Sequence, residues 1–94
     1  MAYHVTMEKD LEKKLDKIRS VNFKEYTRFA KKIEEIRNHA IIMKNHQTRF
    51  NTFEKPLQQF KWIEINNKIL IFTLDPINET LHLCDYLQKN EVFE

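Results

Sequence analysis

The hydrophobic positions of this chain change their spacing about halfway along it. Between residues 8 and 43 apolar side chains recur every three or four positions, as they do on one face of a helix. From Phe60 onward they crowd into short runs rich in β-branched and aromatic residues. The polar segment Ser20-Val21-Asn22 interrupts the helical half. The pattern therefore predicts two amphipathic helices in an antiparallel hairpin, followed by strands.

The helical half can be divided into elements. A short first strand is predicted over residues 3–7, and the first helix over residues 8–19 with Thr6 as its N-cap. The second helix is predicted to begin near Phe23 with Asn22 as its cap. Because both helices carry one apolar stripe, they must bury it against a sheet. The stripe positions are Leu11, Leu15, Ile18, Tyr26, Phe29, Ala30, Ile33 and Ile36.

Two β-rich runs flank Asn66-Asn67, a pair suited to the positive φ angles of a two-residue hairpin turn. Such a turn pairs Ile65 with Lys68 and Trp62 with Ile71. One face of this hairpin is then predicted to carry Trp62, Glu64, Ile69 and Ile71, and the other Ile63, Ile65, Leu70 and Phe72. A second turn over residues 75–79 leads to a last strand over 81–87, so the C-terminal third is an antiparallel meander.

Residues 44–59 are polar, with scattered apolar anchors, and Pro56 opposes helix there. We expect a connecting loop without regular structure, and a loop of this length is often functional. The whole chain, residues 1–94, is long enough for a single domain of class α+β. It contains no glycine, so turns and helix ends depend on Asn, Ser and Asp.

The net charge of +2 is unevenly distributed: residues 1–49 carry a charge of +5 and residues 50–94 a charge of −3. A basic helical half is compatible with nucleic-acid binding, and equally with a solvated helix surface whose charges pair along the helix. The single cysteine, Cys84, cannot form an internal disulfide and lies in an apolar strand, which indicates a buried thiol and a reducing cytoplasm. The longest uninterrupted apolar run, Ile69–Phe72, is far shorter than a membrane span, and the first residues do not show the charged-then-apolar pattern expected of a signal peptide.

The order strand, helix, helix and three antiparallel strands resembles the RelE/ParE superfamily of toxins from toxin–antitoxin systems. The matching segments are Lys55-Pro56-Leu57, the aromatic-led strand and its two-residue turn, the strand ending in Ile71-Phe72, and the closing Glu91-Val92-Phe93-Glu94 as a final strand. The resemblance implies a RelE-like β-α-α-β-β-β fold. It also implies a metal-independent endoribonuclease that cuts mRNA, often on the ribosome, and is neutralised by an antitoxin; in the ParE branch the target is a DNA topoisomerase.

The resemblance also suggests roles for individual residues. Lys89 falls near a basic family position, and Lys55 falls where relatives place RNA-contacting or catalytic side chains. Phosphate contacts are expected from Arg49, Lys55, Lys61, Lys68 and Lys89, base stacking from Trp62, and proton transfer from His46 or Glu91. The four histidines show no metal-ligand spacing, so neither a metal nor another cofactor is expected.

Two departures from the family favour an alternative function. Phe93 stands where relatives have a tyrosine, and the positions of family arginines fall on Trp62, Glu64 and Ile69. The alternative is a catalytically inactive module on the same fold that binds a protein: an antitoxin, a topoisomerase or a second copy of itself as a homodimer. A DNA-binding protein that uses its basic second helix is a third hypothesis.

Overall fold

The computed structural model describes residues 3–46, 51–52 and 60–93, with the backbone alone for residues 39–46 and 51–52. In chain order the elements are β1 (His4–Met7), α1 (Lys9–Val21), α2 (Phe23–His46), β2 (Asn51–Thr52), β3 (Lys61–Ile65), β4 (Lys68–Asp75), β5 (Thr80–Gln88) and α3 (Lys89–Val92). The protein is therefore α+β, with an N-terminal strand, a helical pair and an antiparallel meander of β3, β4 and β5, as the sequence predicts.

The five strands form one sheet in the order β1-β5-β4-β3-β2. The N-terminal strand β1 runs parallel to β5, with Val5 opposite Leu81, whereas the other pairs are antiparallel. This parallel pair joins the two ends of the chain. It also leaves α1 and α2 to cross one side of the sheet, where their stripe is buried.

The hydrophobic core lies between that side of the sheet and the helices. Leu11 and Leu15 of α1 are buried, together with Phe29, Ile33 and Ile36 of α2. The sheet contributes Tyr3, Ile65, Leu70, Phe72, Leu81, Leu83 and Tyr86. The predicted stripe is thus the buried face of the hairpin, except that Ala30 is exposed.

An irregularity in β5 shapes the core. Ile71 pairs with Asp85 but the next residue, Phe72, pairs with Leu83, so Cys84 is an additional residue on β5. The insertion changes the alternation of side chains, and both Leu83 and Tyr86 consequently point into the core. A regular strand would have placed two residues separated by three positions on opposite faces.

The predicted β3–β4 hairpin is confirmed residue by residue. Ile65 pairs with Lys68, Glu64 with Ile69, and Trp62 with Ile71. Asn66 adopts a φ of 57°, the left-handed region that asparagine tolerates better than most residues in a chain without glycine. The second predicted turn is also present, because Asp75 Oδ1 accepts the backbone N–H groups of Ile77 and Asn78 at 3.1 Å each.

The start of α1 differs from the prediction. Helix α1 begins at Lys9 with Glu8 at its N-cap position, so Thr6 is not the cap. The reason is that β1 continues through Met7 in its pairing with β5, which keeps Thr6 in the strand. The cap predicted for α2 is confirmed, because Asn22 Oδ1 accepts the backbone N–H of Glu25 at 3.1 Å.

Two other boundaries were wrong. The segment 44–59 is not free of regular structure, because α2 continues to His46 and β2 occupies Asn51–Thr52; its other residues lie outside the described part of the chain. The closing segment 91–94 was expected to be strand, but β5 ends at Gln88 and α3 follows. Strand β4 begins at Lys68, the partner of Gln88, so residues after Gln88 have no strand to pair with.

A polar cluster joins α2 to the meander beside the core. The Lys68 ammonium forms an ion pair with Glu25 at 2.5 Å and lies 5.1 Å from the centre of the Tyr86 ring. The Tyr86 hydroxyl donates to Glu25 at 3.3 Å, and its ring packs edge-on against Phe29. Burial raises the pKa of Tyr86, and the nearby Glu25 carboxylate raises it further.

Substitution of the hairpin turn tests the left-handed position. We expect Asn66→Val to lower the free energy of unfolding by about 1 kcal/mol, because a β-branched side chain is disfavoured at positive φ, whereas Asn66→Gly should be neutral or stabilising. Urea unfolding followed by circular dichroism measures both. Asn67→Val is the matched control, since Asn67 is not among the positive-φ residues; an equal loss in both valine variants would contradict the assignment.

The polar cluster predicts how stability changes at alkaline pH. Folding raises the pKa of Tyr86, so the protonated phenol contributes to the free energy of unfolding. This contribution is complete below the pKa of tyrosine in the unfolded chain, near 10, and declines as pH rises further. Tyr86→Phe should make this decline shallower in chemical unfolding measured between neutral and alkaline pH. Part of the alkaline decline in stability should remain in this variant, because burial, followed by Glu79 and Asp75, also raises the pKa of Tyr3. The control Tyr26→Phe leaves the Tyr86–Glu25 contact in place; an unchanged slope in Tyr86→Phe would contradict the prediction.

Candidate functional site

The sheet has a second face, opposite α1 and α2, which we call the outer face. Trp62, Glu64 and Ile71 lie on it, as the hairpin register predicts, and Leu87 lies beside them opposite Ile69. Ile69 itself was expected to be exposed, but it is fully buried. The helix α3 turns back over β4 at this end, with the Lys89 N–H donating to the Asn67 carbonyl at 3.0 Å. The outer face is therefore partly covered by the chain's own C-terminal segment.

Beside α3 the outer face contains an apolar groove. Its volume is about 380 Å³, and Phe60, Ile71, Cys84, Leu87 and Val92 line it together with the carboxylates Asp85 and Glu91. We call it the outer groove. Next to it the Trp62 ring packs on Phe93, with 4.7 Å between the ring centres and a tilt of 59°. Aromatic and aliphatic side chains at an accessible concave surface are typical of a binding site.

The charged groups at this face are held by other groups of the chain. Lys89 Nζ lies 3.2 Å from Glu64, and Lys14 of α1 reaches Asp85 at 3.0 Å. Glu91 completes a capping box at the start of α3, where its carboxylate accepts the Gln88 N–H at 3.1 Å. Lys89 and Glu91, two of the predicted catalytic residues, thus lie on α3 in structural interactions.

The predicted RNA-binding residues are divided between the two faces. Trp62 is on the outer face, whereas Lys61 and Lys68 alternate with it and lie on the side of the helices, opposite Phe72 and Ile65. Lys68 is committed to the ion pair with Glu25. His46 is the last residue of α2, and its side chain is not described; Arg49 and Lys55 lie outside the described residues. The described positions do not bring the predicted set together.

A cluster that the sequence did not reveal lies where β1 pairs with β5. Thr6 Oγ1 and His82 Nδ1 are 2.7 Å apart, and His82 Nε2 lies 2.8 Å from Glu8 Oε2. The parallel register aligns Thr6 with His82, which are separated by 76 positions, so no local pattern could indicate the contact. Its geometry connects a hydroxyl, an imidazole and a carboxylate. Nearby, burial, followed by Glu8 and Asp85, raises the pKa of the Cys84 thiol, which makes Cys84 a weak nucleophile.

A second, charged cleft lies between α2 and the tip of the β3–β4 hairpin. Its volume is about 260 Å³, and three cations of α2 outnumber two carboxylates in its lining, which consists of Arg28, Lys31, Lys32, Glu35, Glu64, Ile65 and Asn66. Lys32 pairs with Glu35 at 2.9 Å, which also lowers the pKa of that carboxyl. We call it the cationic cleft. In the described part of the chain, no three His, Cys, Asp or Glu side chains converge as metal ligands, and no helix could span a membrane.

Comparison with known proteins shows similarity in structure alone. No family model and no curated protein sequence matches the chain. RelE in the archaeal RelE–RelB complex from Pyrococcus horikoshii OT3 has a TM-score of 0.66 and 12% identity, over 95% of this chain and 97% of that one. A mutant of the E. coli toxin RelE in the free state has a TM-score of 0.68 and 13% identity, over 97% and 87%. The chain therefore has the RelE-like fold.

Proposed function

We propose that this chain is the toxin-type subunit of a toxin–antitoxin pair and is neutralised in the cytoplasm by an antitoxin. The likeness in fold extends over nearly the whole chain, and one of the similar structures is RelE in complex with RelB. At 12% identity this likeness identifies the fold, so function depends on the surfaces of this chain. The outer groove is the observation that supports the antitoxin partner.

The outer groove has the composition of a protein-binding surface. Ile71, Leu87 and Val92 supply aliphatic contacts, and the Trp62–Phe93 pair lies alongside them. Apolar and aromatic side chains at the centre of a patch, with polar groups around it, are characteristic of binding hot spots. The flanking carboxylates Asp85 and Glu91 fit an amphipathic helix whose apolar side chains enter the groove between basic residues.

The same face is poorly suited to cleaving RNA with its described residues. Cleavage requires cations that neutralise the developing charge on the phosphate and a group that is free to transfer a proton. Lys89 is neutralised by Glu64, and Glu91 caps α3. Lys61 lies on the opposite face. We therefore propose that the described outer face acts by binding protein, the alternative that the departures at Trp62, Glu64 and Phe93 favour.

Co-expression with a candidate antitoxin encoded by a neighbouring short open reading frame tests this proposal. The wild-type chain should form a complex that survives gel filtration, and Leu87→Glu should weaken binding by about 2 kcal/mol or more, because it places a charge in the apolar groove. Ile77→Glu is the matched control, since Ile77 is 91% exposed on a turn outside the groove. A complex that tolerates Leu87→Glu would contradict the role of the groove.

RNA binding remains a second candidate because of the cationic cleft. Arg28 and Lys31 line it beside the turn residue Asn66, on the side of the sheet where Lys61 and Lys68 also lie. We propose that any contact with mRNA or the ribosome begins here, as a phosphate-backbone contact. The predicted cleavage set, with Lys55, Lys61 and Lys89 for phosphate and His46 or Glu91 for the proton, stays a prediction, and it would require Lys89 to leave Glu64.

Charge reversal at the cleft separates this candidate from the first. Arg28→Glu combined with Lys31→Glu should weaken binding to single-stranded RNA and reduce the slope of log affinity against log salt by about 1.4, the value for two lost phosphate contacts. Lys13→Glu combined with Lys17→Glu, two exposed changes on α1, is the control for total charge. Equal effects of the two charge changes would reject the cleft. Separately, intact transcripts and normal growth on high expression would reject a nuclease.

A further inference from the structure

The outer edge of β1 presents peptide groups to solvent. In the parallel pair with β5, alternate residues of β1 direct both of their peptide groups toward β5. His4 and Glu8 mark the bonded set, since their N–H groups donate to Glu79 and Leu83 at 2.8 and 3.1 Å. Val5 and Met7 therefore direct their N–H and C=O groups away from the sheet. No strand of the described chain lies beside β1 on that side.

This edge lacks the features that normally protect a sheet from pairing with another chain. Such protection comes from charged residues, prolines or bulges on the edge strand, and β1 reads His-Val-Thr-Met. One end is closed, because Arg37 Nε donates to the Tyr3 carbonyl at 3.0 Å. The outward-directed residues of β1 that can pair with an added strand are therefore Val5 and Met7, between Tyr3 and the start of α1.

Apolar surface accompanies the edge on the side of the helices. Two cavities, of about 460 and 270 Å³, lie between β1 and the helices, and Val5, Met7, Leu15 and Tyr26 line both. Val5 and Met7 are only partly buried although they pack against the core. A strand added to β1 would bring its own alternate side chains over this surface, so one occupant could satisfy both the peptide groups and the apolar side chains.

The charges beside the edge identify a suitable occupant. Glu12 and Asp16 of α1 lie in the cavity at the Thr6 and Met7 end of β1, whereas Arg37 of α2, which also forms an ion pair with Glu34 at 2.6 Å, lies at the Tyr3 end. An antiparallel partner of identical sequence would reverse this order and place its cation beside the acidic pair. We propose that β1 pairs with β1 of a second copy of this chain, antiparallel and about a two-fold axis at Thr6.

The symmetric pairing satisfies each group described above. Val5 of each copy exchanges N–H···O=C bonds with Met7 of the other, and the two sheets become continuous. The two sets of apolar cavities face each other across the axis, and Arg37 of each copy approaches Glu12 and Asp16 of the other. This self-association uses the edge of β1 and is independent of the outer groove.

Sedimentation equilibrium of the purified full chain tests the dimer, with a proline substitution that acts on the edge alone. Val5→Pro removes an N–H that points away from β5, so the fold should persist while the dimer dissociation constant rises about ten-fold or more. Val5→Ala is the matched control, because it shortens the side chain but keeps the N–H. Circular dichroism of Val5→Pro establishes that it folds. A wild-type chain that is monomeric at high micromolar concentration would overturn the proposal, as would equal weakening in the two variants.

Charge exchange tests the two-fold arrangement. Glu12→Lys with Asp16→Lys in one chain, and Arg37→Glu in another, should each weaken self-association, and mixing the two variants should restore a heterodimer near wild-type affinity. Restoration cannot arise from misfolding of one variant, because a misfolded chain would not gain affinity on mixing. Failure to restore would overturn the geometry. A monomeric wild-type chain whose binding to the candidate antitoxin is lost in Val5→Pro would assign the edge to that partner instead.

Discussion

The parallel pairing of β1 with β5 is the constraint on which the rest of the structure depends. It joins the first strand of the chain to the last and leaves the intervening helices to cover one side of the sheet. Because β5 lies between β1 and β4 in the sheet, the parallel pair also completes its hydrogen bonding along Thr80 to Leu83. Beyond Leu83 the edge of β5 is closed by α1, where Lys14 donates to the Tyr86 carbonyl at 2.9 Å. The two helices thus cover the core, and α1 also takes the place of a neighbouring strand beside the last part of β5.

The same arrangement divides the chemistry of the protein between two sides. The helix side carries the cationic cleft and the Glu25–Lys68–Tyr86 cluster, and the outer side carries an apolar groove flanked by the carboxylates Asp85 and Glu91. The described residues do not form an active site in which free cations lie together on one side of the sheet. The proposals of a polyanion partner on one side and a protein partner on the other rest on this difference in chemistry.

Local features of the fold were predictable from the sequence, and distant ones were not. The hairpin register followed from Asn66-Asn67 and the alternation around it, because a two-residue turn fixes which residues face each other. The short helix α3 was missed because the change from strand to helix after Gln88 depends on where β4 begins, at Lys68. Burial of Ile69 was missed as well, because α3 turns back over β4 and the strand pattern does not indicate this cover. The Thr6–His82–Glu8 contacts require the parallel register, which periodicity does not specify.

The contact between Trp62 and Phe93 has an experimental consequence. The chain contains one tryptophan, and this indole lies against the residue that follows α3. Its fluorescence therefore reports on a single place in the molecule, the attachment of the C-terminal segment to β3. Emission from the unlabelled protein can consequently follow the detachment of that segment in solution, separately from the unfolding of the helical core.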